Sequence, residues 1–414
     1  MTMTETRNAT LADMAQLLTS QHEAKLDAVV PAAAIRSVGG TLHIDGMSFE
    51  AAAGLGTGVA GEYRPTAIMD GHIAGALKIP VAYLRRLRDE RPDLYDANVN
   101  GWLHGDSPFD PWNGEPRRLG DASPDPRKFL VRTFMDTSGE GPGVGRALLS
   151  NGYKVIDNLD VLMATLDGIR SSGRQVDVVS ADLTETRMTV RVACPDLTAA
   201  APRLLAGYRS PVDGYGVDLA RLARAYSPAH LGWDASKGEQ PPVVFAGFEL
   251  TNSETGGGAF ALTPRVVVAA CKNGLKITRD IHRMVHLGAR MDEGRIAWSE
   301  ATQANNLALV RSMTVDAVET FLSQEYLDSV VADVEAKAAV ELAHPADAVA
   351  IVAKQMLYTE DVAASILDHF IRGGQTTAAG IINAVTSVAQ TLPADAAYEL
   401  ESSAMAALEV AANI

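Results

Sequence analysis

The sequence predicts an α+β fold, with an antiparallel β-sheet core, flanking helices and an all-α C-terminal domain. Two hairpins predict the sheet. QVDVVSADLTETRMTVRVAC (175–194) has two strand-like halves around a turn near Asp182–Glu185. PVVFAGFELTN and AFALTPRVVVAAC flank the polar turn SETGGG in the same way. After Trp298 only amphipathic helical segments follow, separated by His344-Pro345, Gly373-Gly374 and Pro393.

Residues 1–127 are expected to form a mainly helical region that ends in a proline-rich loop. Residues 8–36 have the alanine-rich, polar character of an exposed helix, and GGTLHIDG (39–46) reads as a short strand between glycine turns. Residues 72–103 have helical apolar spacing, and Pro80 suits a helix start. GDSPFDPWNGEPRRLGDASPDP then predicts a long loop, because proline and turn-forming residues dominate it.

Residues 128–298 are expected to form the α+β core, and residues 299–414 an acidic helical domain. KFLVRTFMD predicts a strand, and NLDVLMATLDGIRSSG predicts a helix closed by its final glycine. The two hairpins follow. Because these strands succeed one another without crossover helices, we expect antiparallel pairing.

The negative charge is concentrated at the C-terminus. The chain has a formal net charge of −15, and from Glu300 onward 16 acidic residues face four basic ones. That segment therefore contributes −12, which leaves −3 for residues 1–299. Between Arg265 and Arg295 seven bases face three acids, a local excess of +4. A basic segment in an acidic chain is a candidate site for an anionic partner.

Composition excludes several classes of protein. No apolar stretch approaches the roughly 18–20 residues that span a bilayer, and the N-terminus lacks a secretory signal pattern. Cys194 and Cys271 are the two cysteines, too few for a disulfide framework. We therefore expect no membrane association and a cytoplasmic location.

No cofactor is expected from the sequence. Gly56, Gly58 and Gly61 match the bare G-x-G-x-x-G dinucleotide pattern, but GEYRPTAIMDG stands where the phosphate-binding helix should begin. The chain has neither a G-x-x-x-x-G-K-[ST] loop nor a G-x-S-x-G nucleophile elbow. The chain is therefore not a standard P-loop nucleotidase.

His282 and His286 raise the question of a metal. On a helix, residues four apart lie on one face, which is compatible with shared metal ligation. The metalloprotease motif requires a Glu directly after the first His, and Arg283 stands there. A basic helix face is the favoured interpretation, with no metal; a metal-dependent hydrolase acting on nucleic acid is the alternative.

The same segment suits a nucleic-acid backbone. Lys276, Arg279 and Arg283 lie close together after the second hairpin, and the strand ETRMTVRV adds two arginines. There Met188, Val190 and Val192 alternate with Arg187, Thr189 and Arg191, so that one face is expected to pack and the other to present the arginines. Lys and Arg side chains bind phosphates without sequence preference and in a salt-dependent way. We therefore predict backbone contacts by Arg187, Arg191, Lys276, Arg279 and Arg283.

Three stretches together resemble a phage/plasmid-like protein family built on a domain of unknown function. They are GRALLSNGYKVIDNLDVL (145–162), GFELTNSETGGGAFALTPRVVVAACKNGL (247–275) and HRMVHLG (282–288). ALKIPVAYLRRLRDERPDLYDANVNGWL (76–103) and RGGQTTAAGIINAVTSVAQTL (372–392) also resemble the versions carried by actinobacterial phages. The matching positions are Arg146, Ala147, Leu149, Ser150, Tyr153, Asp157, Asn158, Asn252, Ser253, Cys271, Asn273, Gly274 and His286. The family often has His and Asp in the turn after Asn-Ser, where this chain has Glu254 and Thr255. The resemblance implies a setting in mobile-element DNA metabolism and no particular activity.

The residues and the resemblance together predict a non-enzymatic single-stranded DNA-binding protein of phage or plasmid DNA metabolism, with strand annealing as a role in DNA recombination. Such a protein would be a homo-oligomer, and its acidic helical domain would bind host or phage proteins. A structural or host-interaction protein of a phage is the remaining alternative.

Overall fold

The computed structural model confirms the α+β fold class. It describes residues 5–47, 60–107, 117–118, 124–136, 141–151, 153, 156–205, 207–212, 242–258, 260–268, 274–284 and 300–414. Most of the proline-rich loop lies outside these residues. So do two glycines of the G-x-G-x-x-G pattern, Gly56 and Gly58, together with Cys271, Asn273 and His286. The third glycine of that pattern, Gly61, lies inside a strand.

Two large sheets contain most of the strands. The strands are β1 (Thr6–Ala9), β2 (Lys25–Pro31), β3 (Ile35–Val38), β4 (Thr41–Asp45), β5 (Ala60–Pro65), β6 (Asp106–Ser107), β7 (Arg117–Arg118), β8 (Lys128–Phe134), β9 (Gly143–Ser150), β10 (Asp177–Leu183), β11 (Met188–Ala200), β12 (Val243–Asn252), β13 (Phe260–Val268), β14 (Gly274–Lys276) and β15 (His282–Met284). The first sheet is antiparallel in the order β1-β10-β11-β12-β13-β14, and β15 also pairs with β13. The second has the order β2-β8-β9-β5-β4-β3, with β5 and β9 parallel.

The helices fall into three groups along the chain: an N-terminal, a central and a C-terminal group. They are α1 (Leu11–Ala24), α2 (Ala67–Leu77), α3 (Val81–Glu90), α4 (Pro92–His104), α5 (Asn158–Ser172), α6 (Pro202–Leu205), α7 (Glu300–Phe321), α8 (Gln324–Ala338), α9 (Pro345–Gln355), α10 (Glu360–Gly373), α11 (Ala378–Ala389) and α12 (Ala394–Ala412). Two predicted helix ends are confirmed. Pro80 precedes the first residue of α3, and Gly173 ends α5 with a φ of +70°. Both predicted hairpins form, as β10–β11 and β12–β13.

The C-terminal helices complete the core of the first sheet. One buried apolar cluster joins Phe248 and Leu262 of that sheet with α5 and with all of the C-terminal helices, α7–α12. Every residue of α11 is buried. A second cluster joins the second sheet with α2–α4. Since the sheet and the C-terminal helices share one core, residues 299–414 belong to the same packed unit as the first sheet.

Three details differ from the expectations. The segment 8–36 is not one helix: α1 spans only 14 residues, capped by Thr10 through a capping box with Asp13, and β2 follows directly. The boundary at 127/128 passes through the second sheet, because β2 pairs with β8 along its length. The prediction of a helix around His282 is wrong, because His282–Met284 form strand β15, opposite Phe260–Leu262.

Candidate functional site

One face of the first sheet holds a buried cluster of charges centred on Glu249. Glu249 lies in β12, directly opposite Arg191 in β11, and is fully buried. The Nη1 of Arg265 donates to its Oε2 at 2.6 Å, and Arg191 Nε lies 3.2 Å from the same oxygen. The Nζ of Lys276 lies 2.7 Å from Oε1. Three cations thus surround a carboxylate in the middle of a sheet.

Helix α12 packs over this cluster and covers it. Its Glu401 accepts from Arg265 Nη1 at 3.3 Å and lies 3.6 Å from Arg191 Nη2. Asp182 of β10 accepts from Arg191 on the other side. The three buried cations Arg191, Arg265 and Lys276 therefore face the three buried acids Asp182, Glu249 and Glu401, and the half-buried Arg7 also pairs with Asp182 from the margin.

The pKa values of the cluster reflect burial and mutual pairing. Burial alone would raise the pKa of Glu401, but Arg265, Arg191 and Lys276 outweigh it and lower the pKa to about 2. Burial lowers the pKa of Lys276 to about 8, although Glu249 and Glu401 act in the opposite direction. Removal of any one member would leave an uncompensated buried charge, which is strongly destabilising.

Two of the predicted DNA contacts are corrected by this cluster. Arg191 and Lys276 are 7% and 1% exposed, and both are paired with buried acids. The alternation along β11 is present, but both of its faces are buried, because α12 covers the face that was expected to meet solvent. These two residues stabilise the fold in this structure and offer no surface to a phosphate.

Arg187 differs from Arg191, because it lies at the margin of the same face. Its guanidinium lies over the ring of Tyr398, with 3.7 Å from Cζ to the ring centroid. It also lies 3.5 Å from the exposed carboxylate of Glu399. Arg187 is 15% exposed and its acidic partner is itself exposed, so this arginine is less deeply buried than Arg191 and Lys276.

The edge of the first sheet carries the remaining predicted contacts. Strand β14 pairs with residues 265–267 of β13, and β15 pairs with residues 260–262, so the two short strands follow one another along the same edge. Arg279 lies in the 3-10 turn between them, and Arg283 lies opposite Ala261. His282 begins β15, so the i, i+4 helical argument for a metal does not hold; His286 lies outside the described residues. Within the described ranges, no group of three or more metal-binding side chains occurs.

A second buried charge cluster lies where the two sheets meet, and sequence analysis did not predict it. Arg132 of β8 is 1% exposed and uses all three of its nitrogens. Nε donates to Asp27 at 2.8 Å, Nη2 to Asp157 at 2.7 Å and Nη1 to the carbonyl oxygen of Glu254 at 2.8 Å. Lys25 pairs with Asp157 from the opposite side.

The turn after β12 and the start of α5 converge on this second cluster. Asn252 donates through Nδ2 to Asn158 Oδ1 at 2.8 Å, which joins the end of β12 to the start of α5. Ser253 Oγ accepts from the backbone N–H of Gly257 at 2.9 Å and shapes the turn. The carboxylate of Glu254 accepts from the backbone N–H of Asn158 and from Arg146. Asn158, Asn252 and Glu254 therefore build one junction between α5 and the turn after β12.

Arg146 lies in a cleft at this junction. The cleft is bordered by α1, β8, β9 and the first turn of α5. The guanidinium of Arg146 lies over the ring of Phe134, 4.0 Å from Cζ to the centroid, and its Nη2 pairs with Glu254. Its Nε and Nη1 are buried and have no hydrogen-bond partner. Orphaned buried donors of this kind are rare in folded proteins.

The sequence contained weak signals for both clusters. Glu249 is the one acidic residue in the apolar run PVVFAGFELTN, and an isolated charge in a buried strand requires a buried partner. Asp27 and Arg132 stand in two different strands, and nothing in their spacing along the chain places them side by side. The pairing becomes evident only when β2 and β8 are known to be neighbours.

No family model, curated protein or solved structure matches the chain. Among the described residues, no helix is both long enough and apolar enough to cross a membrane.

Proposed function

We propose that this protein binds single-stranded DNA without catalysing a reaction on it, in phage or plasmid DNA metabolism. The observation that carries the proposal is the position of the basic segment. Of the seven bases between Arg265 and Arg295, Arg265 and Lys276 belong to the buried cluster, whereas Arg279 and Arg283 follow β14 along one edge of the first sheet. A basic strip along a sheet edge suits a flexible anionic backbone better than a closed pocket does.

The contacts in this proposal are Arg187, Arg279 and Arg283. Arg191 and Lys276 are left out because their charges are already neutralised by Asp182, Glu249 and Glu401. Tyr398 supports the side chain of Arg187 from below. Binding through three arginines implies weak affinity per protomer, and a homo-oligomer would multiply those contacts along one strand.

No specific observation favours the two alternative functions, a metal-dependent hydrolase acting on nucleic acid and a structural or host-interaction protein. The hydrolase reading depended on two histidines on one helix face, and His282 instead lies in a strand. The acidic charge of the C-terminal helices would suit a protein partner, but all six of them, α7–α12, pack into the core of the first sheet.

The test is a titration of fluorescently labelled oligothymidylate with the full-length protein at several salt concentrations. The proposal predicts saturable binding whose log affinity falls linearly with log salt, with a slope of about −2 for three phosphate contacts. Light scattering with and without the oligonucleotide tests the homo-oligomer. Absence of binding at the lowest salt concentration would overturn the proposal.

A further inference from the structure

The proposed phosphate contacts do not by themselves distinguish a single strand from a duplex. Arginines bind phosphates whatever the bases do, and duplex DNA carries about twice as many phosphates per unit length of its axis as one strand does. A surface of arginines alone would therefore bind duplex DNA at least as tightly. A preference for the single strand requires a side chain that contacts the faces of unstacked bases, because stacking hides those faces in a duplex.

One exposed apolar side chain lies inside the basic segment. Among the described residues, the large apolar side chains that are exposed are those of Val29, Val38, Val81, Tyr83, Trp102, Met163, Ile281, Leu309, Ile351, Leu357, Ile371 and Ile414. Ile281 is the member of this set that lies between Arg265 and Arg295. It stands two residues after Arg279 and two residues before Arg283, so the apolar group and two proposed phosphate contacts occur within five residues.

The turn that carries Ile281 is fixed to the body of the protein on its inner side. The backbone N–H of Ile277 donates to the carbonyl oxygen of Pro264 at 2.9 Å, and Ile277 is 1% exposed. The carboxylate of Asp280 accepts from the hydroxyl group of Tyr326 in α8 at 2.7 Å. Because both ends of the 3-10 turn are held in this way, a ligand that binds here does not have to order a loose loop.

The outer side of the same turn presents Ile281 to solvent. Ile281 is 41% exposed, whereas Ile277, four residues earlier, belongs to the core. Packing of the core therefore does not account for an isoleucine at position 281. Single exposed apolar residues are common on protein surfaces. What distinguishes Ile281 is its place on an anchored turn between two arginines.

The exposed aromatic side chains of the described residues lie elsewhere. Tyr83 of α3 and Trp102 of α4 are 50% and 61% exposed, in the helical layer that covers the second sheet. The exposed arginines of that layer, Arg86 and Arg91, are ion-paired with acids a few residues away in the sequence. In the part of the chain that the structure describes, these rings therefore stand beside compensated charges, whereas Ile281 lies between two proposed phosphate contacts.

We propose that Ile281 packs against an unstacked base while Arg279 and Arg283 bind phosphates on either side of it, so that this protein prefers single-stranded to duplex DNA. The inference rests on the proposed function and adds to it the side chain that selects the form of DNA. Every base has a flat face, so a contact of this kind implies little sequence preference.

The experiment measures the binding of one fluorescently labelled oligonucleotide of mixed sequence in two forms, alone and annealed to its complement, at the same low salt concentration. We expect the full-length wild type to bind the single strand more tightly than the duplex. Ile281→Ser should weaken binding of the single strand by about fivefold and leave duplex binding unchanged, because the duplex offers no base face. The dependence of single-strand affinity on salt should match that of the wild type, since no charge has been removed.

Ile281→Phe tests the same contact through a gain, which a loss of stability cannot imitate. An aromatic ring stacks on a base better than an aliphatic side chain does, so this variant should bind the single strand about fivefold more tightly, with duplex binding unchanged. Ile371→Ser is the matched control, because Ile371 is 68% exposed on α10 and lies outside the basic segment. It should bind both forms of DNA as the wild type does.

Equal losses for the single strand and the duplex in Ile281→Ser, no change in either, or no gain in Ile281→Phe would overturn the inference and leave the proposal of DNA binding in place. Absence of binding of both forms by the wild type would overturn the proposed function and, with it, the role of Ile281. The two failures are therefore distinguishable in one set of titrations.

Discussion

Arg191 and Glu249 face each other across strands β11 and β12, with 3.2 Å between Nε and Oε2 and both side chains buried. Because Glu249 pairs with Arg191, this face of β11 carries no uncompensated positive charge and forms one side of the buried cluster. Because Glu401 of α12 joins the same cluster from more than 200 residues away in sequence, it also ties the C-terminal helices to the sheet.

Glu249→Gln is expected to be among the most destabilising substitutions in the first sheet. It leaves Arg191, Arg265 and Lys276 with one fewer buried counter-charge, and breaking a buried pair costs roughly 3–5 kcal/mol. Urea unfolding of the purified variant measures the loss. Glu90→Gln is the control: its partner Arg86 is exposed, so the change should leave the free energy of unfolding almost unchanged. Equal effects of the two changes would contradict this account of the cluster.

Acid should remove the contribution of Glu401. Its pKa is about 2 in the folded protein against an ordinary 4.5, so the unfolded chain takes up the proton first as the pH falls. The stabilisation is present above pH 4.5 and is lost between about 4.5 and 2, with a total of about 3 kcal/mol. Unfolding free energies measured across this range should fall less steeply in Glu401→Gln than in the wild type.

Glu399→Gln is the control for that comparison, because Glu399 is 71% exposed on the same helix. Its pH dependence should match that of the wild type. A Glu401→Gln curve parallel to the wild-type curve below pH 4.5 would show that this carboxylate does not carry the predicted stabilisation.

Two helical glycines should respond in opposite directions to alanine. A Cβ at Gly168 of α5 would lie 2.8 Å from Cβ of Thr314 in α7, so Gly168→Ala should push the two helices apart and destabilise the protein. A Cβ at Gly71 of α2 meets nothing within 4 Å, so Gly71→Ala should stabilise by about 0.5–1 kcal/mol. Thermal unfolding of both variants provides the measurement; stabilisation by Gly168→Ala would refute the close approach of α5 and α7.

A truncated protein of residues 1–299 should not unfold cooperatively. Removing α7–α12 exposes the apolar residues that these helices cover, and it leaves Arg191, Arg265 and Lys276 without Glu401. Calorimetry of the truncated chain tests this. A sharp transition close to that of the full chain would instead support an independent domain boundary at 298/299.

The sequence predicted elements whose signals are local. The glycine that ends α5, the proline before α3 and the two hairpins of the first sheet were all predictable because each depends on a few adjacent residues. The alternation of apolar and polar side chains along β11 was also predicted correctly. The alternation could not reveal that α12 covers the polar face, because that depends on a contact between Arg191 and Glu401, which are far apart in the sequence.

The candidate sites were less predictable for the same reason. The basic residues around His282 suggested a helix, but the segment pairs with β13 because an open sheet edge is available to it. The cleft at Arg146 depends on β2, β8, β9 and α5 meeting in space. Its members are spread from Leu18 to Glu254, so their spacing along the chain gives no motif.

The most direct test of the central proposal is charge reversal at the sheet edge. We would titrate labelled oligothymidylate with the full-length wild type, with the Arg279→Glu/Arg283→Glu double variant, and with Arg311→Glu, an exposed arginine paired with Asp167 in the helical layer. The account predicts that the double variant loses most of the affinity and that its salt slope becomes shallower by about 1.4, whereas Arg311→Glu behaves like the wild type. No binding by the wild type at low salt, or equal loss in all variants, would contradict it.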